Sequence, residues 1–201
     1  MAKNVKNSLR IVGGRFGGRK LEIPEHGGVR PTSDRAREAL FNILAHGDYR
    51  TPHGPMPLGT RVLDVFAGSG ALGLEALSRG AGHVSFLEQN PDNLKLIRKN
   101  AFQLGETTSV SMMNRDGTKP GPLPTGDQVP ADLVLLDAPY DSGLGDVALA
   151  ALDAAGWLAE TCIAALEVAA KEEVNSPAGF QVIDQRKYGA AKLVFLRKSP
   201  I

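Results

Sequence analysis

The stretch "DLVLLDAPYDSG" runs an unbroken apolar series into an acid, a proline and an aromatic ring at Asp137, Pro139 and Tyr140. In an open α/β sheet, ligands lie beyond the carboxyl ends of the strands, so an acid at such an end faces a binding crevice. An exocyclic amine on a nucleic-acid base is a poor nucleophile, because its lone pair is delocalised into the ring. Two acceptors that take its N–H groups turn the nitrogen toward an electrophile. The Asp137 carboxylate and the Ala138 backbone C=O are the two candidates. Pro139 stiffens the turn, and Tyr140 offers a flat face on which a base can stack. The plain alternative is that Asp137 caps a turn and Tyr140 packs. These four residues alone do not choose between the two.

A second group lies upstream. "LDVFAGSGALGLEAL" places Gly68, Gly70 and Gly73 at G-x-G-x-x-G spacing between an apolar run and a helical pattern. Small residues let backbone approach a ligand, and a helix N-terminus presents free N–H groups. Glu88, at the end of the next apolar run, stands where an acid can bind ribose hydroxyls. This loop fits a dinucleotide or S-adenosylmethionine (SAM), and a tight turn for helix packing is the plain alternative. Asp64 favours SAM. An acid inside the first strand can receive the methionine amino group, whereas it would repel a pyrophosphate.

The elements that position these residues alternate. "RVLDVF", "HVSFLE", "TSVSMM" and "DLVLLD" read as strands, separated by helices in "GALGLEALSRG" and "PDNLKLIRKNAFQLG" and by a long Pro/Gly-rich loop over 117–131. A helix near 145–155, the strand "CIAALEV" and a two-stranded end joined through Tyr188-Gly189 follow. Alternating strands and helices predict a Rossmann-like, mostly parallel sheet with right-handed crossovers and an antiparallel C-terminal hairpin. The start differs. "RIVGGRFGGRKLEI" reads as a hairpin, "RPTSDRAREALFNILAHG" as a helix capped by Thr32 or Ser33, and "DYRTPHGPMPLGT" as a linker. Two units are expected: a basic extension over 1–50 and a SAM-binding domain over 51–201.

Of the 201 residues, the first fifty hold ten Lys/Arg and five acids, or +5, which leaves −4 on the remainder. A basic arm on a mildly acidic body suggests a polyanionic partner. Arg10, Arg15, Arg19, Lys20, Arg30, Arg35 and Arg37 are the candidates to grip RNA phosphates, and part of "RPTSD" is placed to close over the cofactor. No apolar run reaches the roughly 20 residues of a membrane span, and the N-terminus lacks the apolar centre of a signal peptide. A cytoplasmic protein is expected. The single cysteine, Cys162, excludes an internal disulfide framework and reads as a buried thiol in a strand. The four histidines show no ligand spacing, and no metal site is expected.

"DVFAGSGALGLEALSRGA", "FLEQN", "DAPY", "RPTSDRAREALFN" and "RIVGGRFGGRKL" together resemble the RsmD family of bacterial 16S ribosomal RNA guanine-N2 methyltransferases, from about Arg10 to the C-terminus. The resemblance implies a seven-stranded SAM-dependent methyltransferase sheet with a small N-terminal hairpin extension. It implies cofactor contacts at Asp64, Ala67, Gly68, Ser69, Gly70 and Glu88, and on the adenine side at Asp116 and Gly117. It implies 16S rRNA, in an assembling small subunit, as the partner. One position departs from the family's Asp-Pro-Pro-aromatic pattern: Ala138 stands where the first proline is usual. The backbone acceptor survives this change, and the stiffness of the turn is what it puts in question.

The expectation is therefore methyl transfer from SAM to the N2 of a guanine in small-subunit rRNA by a monomer. An N6-adenine methyltransferase presents the same amine chemistry, although this chain has little room for a DNA-recognition domain. A nicotinamide-dependent oxidoreductase is disfavoured by Asp64 and "DAPY". A non-catalytic RNA-binding protein is disfavoured by the intact Asp137, Pro139 and Tyr140.

Overall fold

The computed structural model describes residues 9–24, 33–124 and 130–199. The expectations for Arg30, for Thr32 as a cap and for most of "RPTSD" lie outside these residues. Helix α1 (Asp34–His46) starts at Ser33, whose Oγ accepts from the Ala36 N–H at 3.2 Å, and stops at Gly47. The segment expected as a linker contains a minimal antiparallel pair, β1 (Arg50–Thr51) and β2 (Gly54–Pro55).

The sheet is built from β3 (Arg61–Val65), β4 (His83–Leu87), β5 (Val110–Met113), β6 (Ala131–Leu136), β7 (Leu158–Ala169), β8 (Phe180–Tyr188) and β9 (Ala191–Lys198). Helices α2 (Ala71–Ser78), α3 (Pro91–Leu104) and α4 (Leu144–Ala154) make the crossovers. The strand order is β5-β4-β3-β6-β7-β9-β8. The first five run parallel, and β9 is antiparallel to both β7 and β8. This is the Rossmann-like, mostly parallel sheet with the antiparallel C-terminal hairpin that the residue pattern predicts, and it has the seven strands that the family resemblance implies.

Chain order reverses beside β3, whose neighbours are β4 and β6. Ligands bind at such switch points. Val65 is level with Leu87 on one side and with Leu136 on the other. The residues that follow, Phe66, Glu88 and Asp137, therefore leave the sheet side by side.

Alternation along the strands separates two cores. Val62, Val84, Phe86, Leu133 and Leu135 pack with α1, α2 and α3, and Leu9, Ile11 and Leu21 of the arm join the same cluster. Leu63, Val65, Leu87, Val134 and Leu136 pack with α4 and Trp157 on the other face. Gly73 is required by the first arrangement, since a Cβ there would lie 2.4 Å from Phe86 Cε1.

The arm over 9–24 pairs as expected, but thinly. Arg10 and Lys20 form one antiparallel bridge, flanked by Ile11 N–H to Arg19 O and Leu21 N–H to Leu9 O. Its tip is a 3₁₀ turn at Gly14–Phe16. The reason for so short a ladder is that the arm spends its other backbone groups on the body. The buried Glu75 carboxylate accepts the Val12 and Gly13 N–H groups at 2.7 and 2.8 Å. Gly14, at φ +76°, presses on α2, where a Cβ would overlap the Ser78 carbonyl.

Candidate active site

The glycine loop leaves β3 through Phe66, which holds φ at +62°. A bulky residue in the left-handed region carries strain of about 1–3 kcal/mol and persists only where its surroundings impose it. Here Phe66 forms part of a cavity wall. Glu88, 7% exposed, spans the gap from β4. One of its oxygens accepts the Gly68 N–H at 2.8 Å, and the other accepts the Asn90 N–H at 2.7 Å. A single carboxylate thus fixes the glycine loop and the start of α3. Beyond β5, the Asn114 side chain donates to the Glu88 and Gln89 carbonyls. Asp116 accepts from the Thr118 N–H and Oγ at 2.9 and 2.8 Å, and these bonds hold its carboxyl below the usual carboxylate range. Arg115 donates to the Pro120 and Pro122 carbonyls and Trp157 Nε1 to the Gly121 carbonyl, which shapes this long loop.

A cavity of about 510 Å³ opens at these strand ends, a size ordinary for a cofactor cleft. Gly68, Glu88, Asp116, Gly117, Asp137, Ala138, Pro139 and Tyr140, all selected from the sequence, line it. Phe66, Gln89, Asn93, Arg115, Thr118 and Leu144 line it as well and were not selected. Gln89 and Arg115 are immediate neighbours of selected acids and Thr118 of the selected Gly117, which was the available signal.

Asp64, Ala67, Ser69 and Gly70, also selected, are not among the lining residues. Asp64 is 1% exposed and accepts the Gly73 N–H at 2.8 Å. Burial raises its pKa well above the usual range, and the Asp137 and Glu88 carboxylates raise it further, against the Gly73 hydrogen bond. The Ser69 carbonyl accepts from the Asn100 side chain, and Ala67 and Gly70 close a turn by their own backbone bond.

Of the arm cations, Arg10, Arg15, Arg19, Lys20 and Arg35 are exposed. Arg10 pairs with Asp34, Arg15 pairs with Glu106, and Arg19 donates to the Gln103 carbonyl. An exposed pair such as Arg10–Asp34 is worth about 0–1 kcal/mol, whereas Arg15 pairs with the buried Glu106. Arg37 must be corrected. It is fully buried, it donates to the Arg10 carbonyl and Asp34, and it cannot reach a phosphate. Its place on the stripe Arg37, Leu40, Phe41, Leu44 turns it into the core.

A family model described as "Conserved hypothetical protein 95" matches residues 9–197. The chain belongs to that family, the RsmD family. Ribosomal RNA small subunit methyltransferase D of Escherichia coli (strain K12) is 35% identical over 166 residues, covering 79% of this chain and 74% of the relative. The protein of the same name from Haemophilus influenzae is 31% identical over 186 residues, covering 92% of each. A solved structure of the yhhF protein from Escherichia coli has a TM-score of 0.77 at 31% identity, covering 96% of this chain and 99% of that one. This RsmD-family member is a SAM-dependent methyltransferase.

The donor set suits that cofactor. Glu88 and Asp116 present acceptors for hydroxyl and amino groups, and Phe66, Leu87 and Leu144 supply apolar walls. Asp64, Glu88 and Asp137 crowd negative charge at one end, which a sulfonium and an ammonium group would offset.

Proposed function

We propose that this protein methylates the exocyclic N2 of a guanine in 16S rRNA, within an assembling small ribosomal subunit. The observation that carries the reading is that Asp137, Ala138, Pro139 and Tyr140 line the same cavity as Glu88 and Asp116. The relatives named for small-subunit rRNA support the choice of substrate.

When bound, SAM supplies an electrophilic methyl group on a sulfonium, so the protein's task is chiefly positioning. Glu88 and Asp116, which line the cavity, would hold the cofactor's nucleoside end. Asp137 and the Ala138 carbonyl accept the two N–H groups of the target amine and point its nitrogen toward the methyl. Methyl transfer to that nitrogen would break the carbon–sulfur bond, whose electron pair leaves on sulfur as a neutral thioether, and Asp137 or water would take the proton that the newly bonded, cationic nitrogen gives up. Tyr140 stacks on the base, which must leave its own stack at a cost of a few kcal/mol in a duplex and less in a loop. Arg10, Arg15, Arg19, Lys20 and Arg35 grip phosphates, with residues 1–50 acting as the RNA-facing extension of a catalytic unit over 51–201. The enzyme works as a cytoplasmic monomer. Among the described residues, no helix is long and apolar enough to cross a membrane.

The test is to incubate the purified protein with SAM and either naked 16S rRNA or small-subunit particles, then map the modified nucleotide by mass spectrometry. One N2-methylguanine, formed better on particles, is expected. N6-methyladenine, or no transfer to either RNA, would overturn the assignment.

A further inference from the structure

Glu167 is 5% exposed near the end of β7, within the apolar run "CIAALEVA". A carboxylate there is costly unless it is partnered. One of its oxygens accepts the Tyr140 hydroxyl at 2.7 Å, and the other is buried without a hydrogen bond. Burial lowers the pKa of the Arg37 guanidinium, and the charges of Asp34, Glu75 and, least, Glu167 oppose that shift. Glu167 does not line the cavity, whereas the Tyr140 ring does.

The rest of the turn is tied to the same part of the fold. Glu172, just past β7, accepts the Asp141 N–H at 2.8 Å and the Ala169 N–H at 3.1 Å. Its own carbonyl accepts from Lys192 of β9. Asp141 holds φ at +55°, a conformation that aspartate tolerates better than most residues but does not prefer. Ser142 Oγ donates to the Pro139 carbonyl. Ring, amide and carbonyl of the turn are each anchored by a side chain.

We infer that Glu167 is the positioning residue for the Tyr140 ring, and that Glu167 and Glu172 together give the Asp137–Tyr140 turn the stiffness that a proline at 138 would otherwise add. The inference rests on the methyl-transfer reading above. An acceptor pair that must aim a nitrogen tolerates little backbone play, since misplacement by about 1 Å can cost a hundredfold in rate. Ala138 leaves that play open, and the two tethers close it from the far end of the turn.

The experiment has two arms. Hydrogen exchange of the amides at 140–142, measured without substrate, should quicken in Glu167→Ala and Tyr140→Phe and stay near wild type in Glu167→Gln, whose amide oxygen can still accept the hydroxyl. Single-turnover methylation of the RNA substrate identified above is the second arm. Tyr140→Phe and Glu167→Ala should each slow transfer by about ten- to a hundredfold, the span of a hydrogen bond to a charged group. SAM affinity should be unchanged, and Glu167→Gln should stay within about threefold of wild type. The double variant Tyr140→Phe/Glu167→Ala should be no slower than the slower single, because both changes remove one bond. Losses that multiply in the double variant, or a wild-type rate in Tyr140→Phe, would overturn the inference. If Glu167→Ala does not fold, Tyr140→Phe and Glu167→Gln decide alone. If the wild type methylates no RNA, the substrate reading fails separately, and the exchange arm still decides the tether.

Discussion

Glu88 carries two loads, and replacing it should reveal both. Its oxygens accept from Gly68 and Asn90 at 2.8 and 2.7 Å, and its carboxylate lines the cavity. Glutamine would be the mildest change in shape, but not in function. It has one acceptor oxygen, so its NH₂ must face either the Gly68 or the Asn90 N–H. The Gly68 bond is buried, so the amide orients to keep it, and the Asn90 N–H turns to water. Glu88→Gln should therefore cost about 1.5–3 kcal/mol of stability, the value of one hydrogen bond to a charged group. Alanine would strand the buried Gly68 N–H as well, for a total of about 3–6 kcal/mol by the same measure. In a protein of this size the milder loss lowers Tm by roughly 3–12 °C. Both variants should also weaken SAM binding by about 1–3 kcal/mol through the lost acceptor. The assays are urea denaturation without ligand and calorimetric titration with SAM. A Glu88→Gln protein with wild-type stability and wild-type SAM affinity would refute the double role.

Asp137→Ala should lower the single-turnover rate by about a hundredfold or more with SAM affinity intact, by analogy with removing one preorganised polar group; Ala138→Pro should change it by less than about tenfold. Neutralising Arg15, Arg19 and Lys20 should flatten the slope of log K against log salt for RNA by about 0.7 per lost contact to single-stranded RNA, whereas Arg37→Met should leave that slope alone and lower the unfolding midpoint. Asp64→Asn should gain stability relative to wild type as pH rises. Burial raises the folded-state pKa of Asp64, so its contribution is full below the unfolded value of about 3.9 and is lost as pH climbs through the folded one. Urea midpoints from pH 4 to 8 measure this, and a gap that does not change with pH would count against it.

The fold and most of the cavity lining were legible because both depend on local pattern. The apolar run of β6 ends at Leu136 and that of β4 at Leu87, so Asp137 and Glu88 had to emerge at one sheet edge. The glycine spacing placed the loop, although only the structure separates the lining Gly68 from Asp64 and Gly70, which do not line the cavity. The Arg37 assignment failed because charge was counted without phase. Helical spacing puts Arg37 with Leu40, Phe41 and Leu44, on the face that packs. Phe66 was missed because nothing in the residue type announces a positive φ.

The same phase error hides a wider regularity. Arg37, Glu75, Asn100 and Glu167 are all polar residues set within apolar stripes or runs, and all four are buried. Such burial is stable only when hydrogen bonds replace the lost water. Each of the four uses those bonds to join segments far apart in sequence. Arg37 holds the Arg10 carbonyl, and Glu75 holds the Val12 and Gly13 amides. Asn100 exchanges two bonds with Glu22 of the arm and donates to Ser69 of the glycine loop. Glu167 holds the Tyr140 hydroxyl. The basic arm is therefore wired to the glycine loop through Asn100, to α1 through Arg37 and to α2 through Glu75, and β7 to the Asp137–Tyr140 turn through Glu167. An apolar residue at any of these positions would keep the stripe and lose the connection, which is why a polar side chain inside an apolar stripe marks the joints between the arm and the cavity.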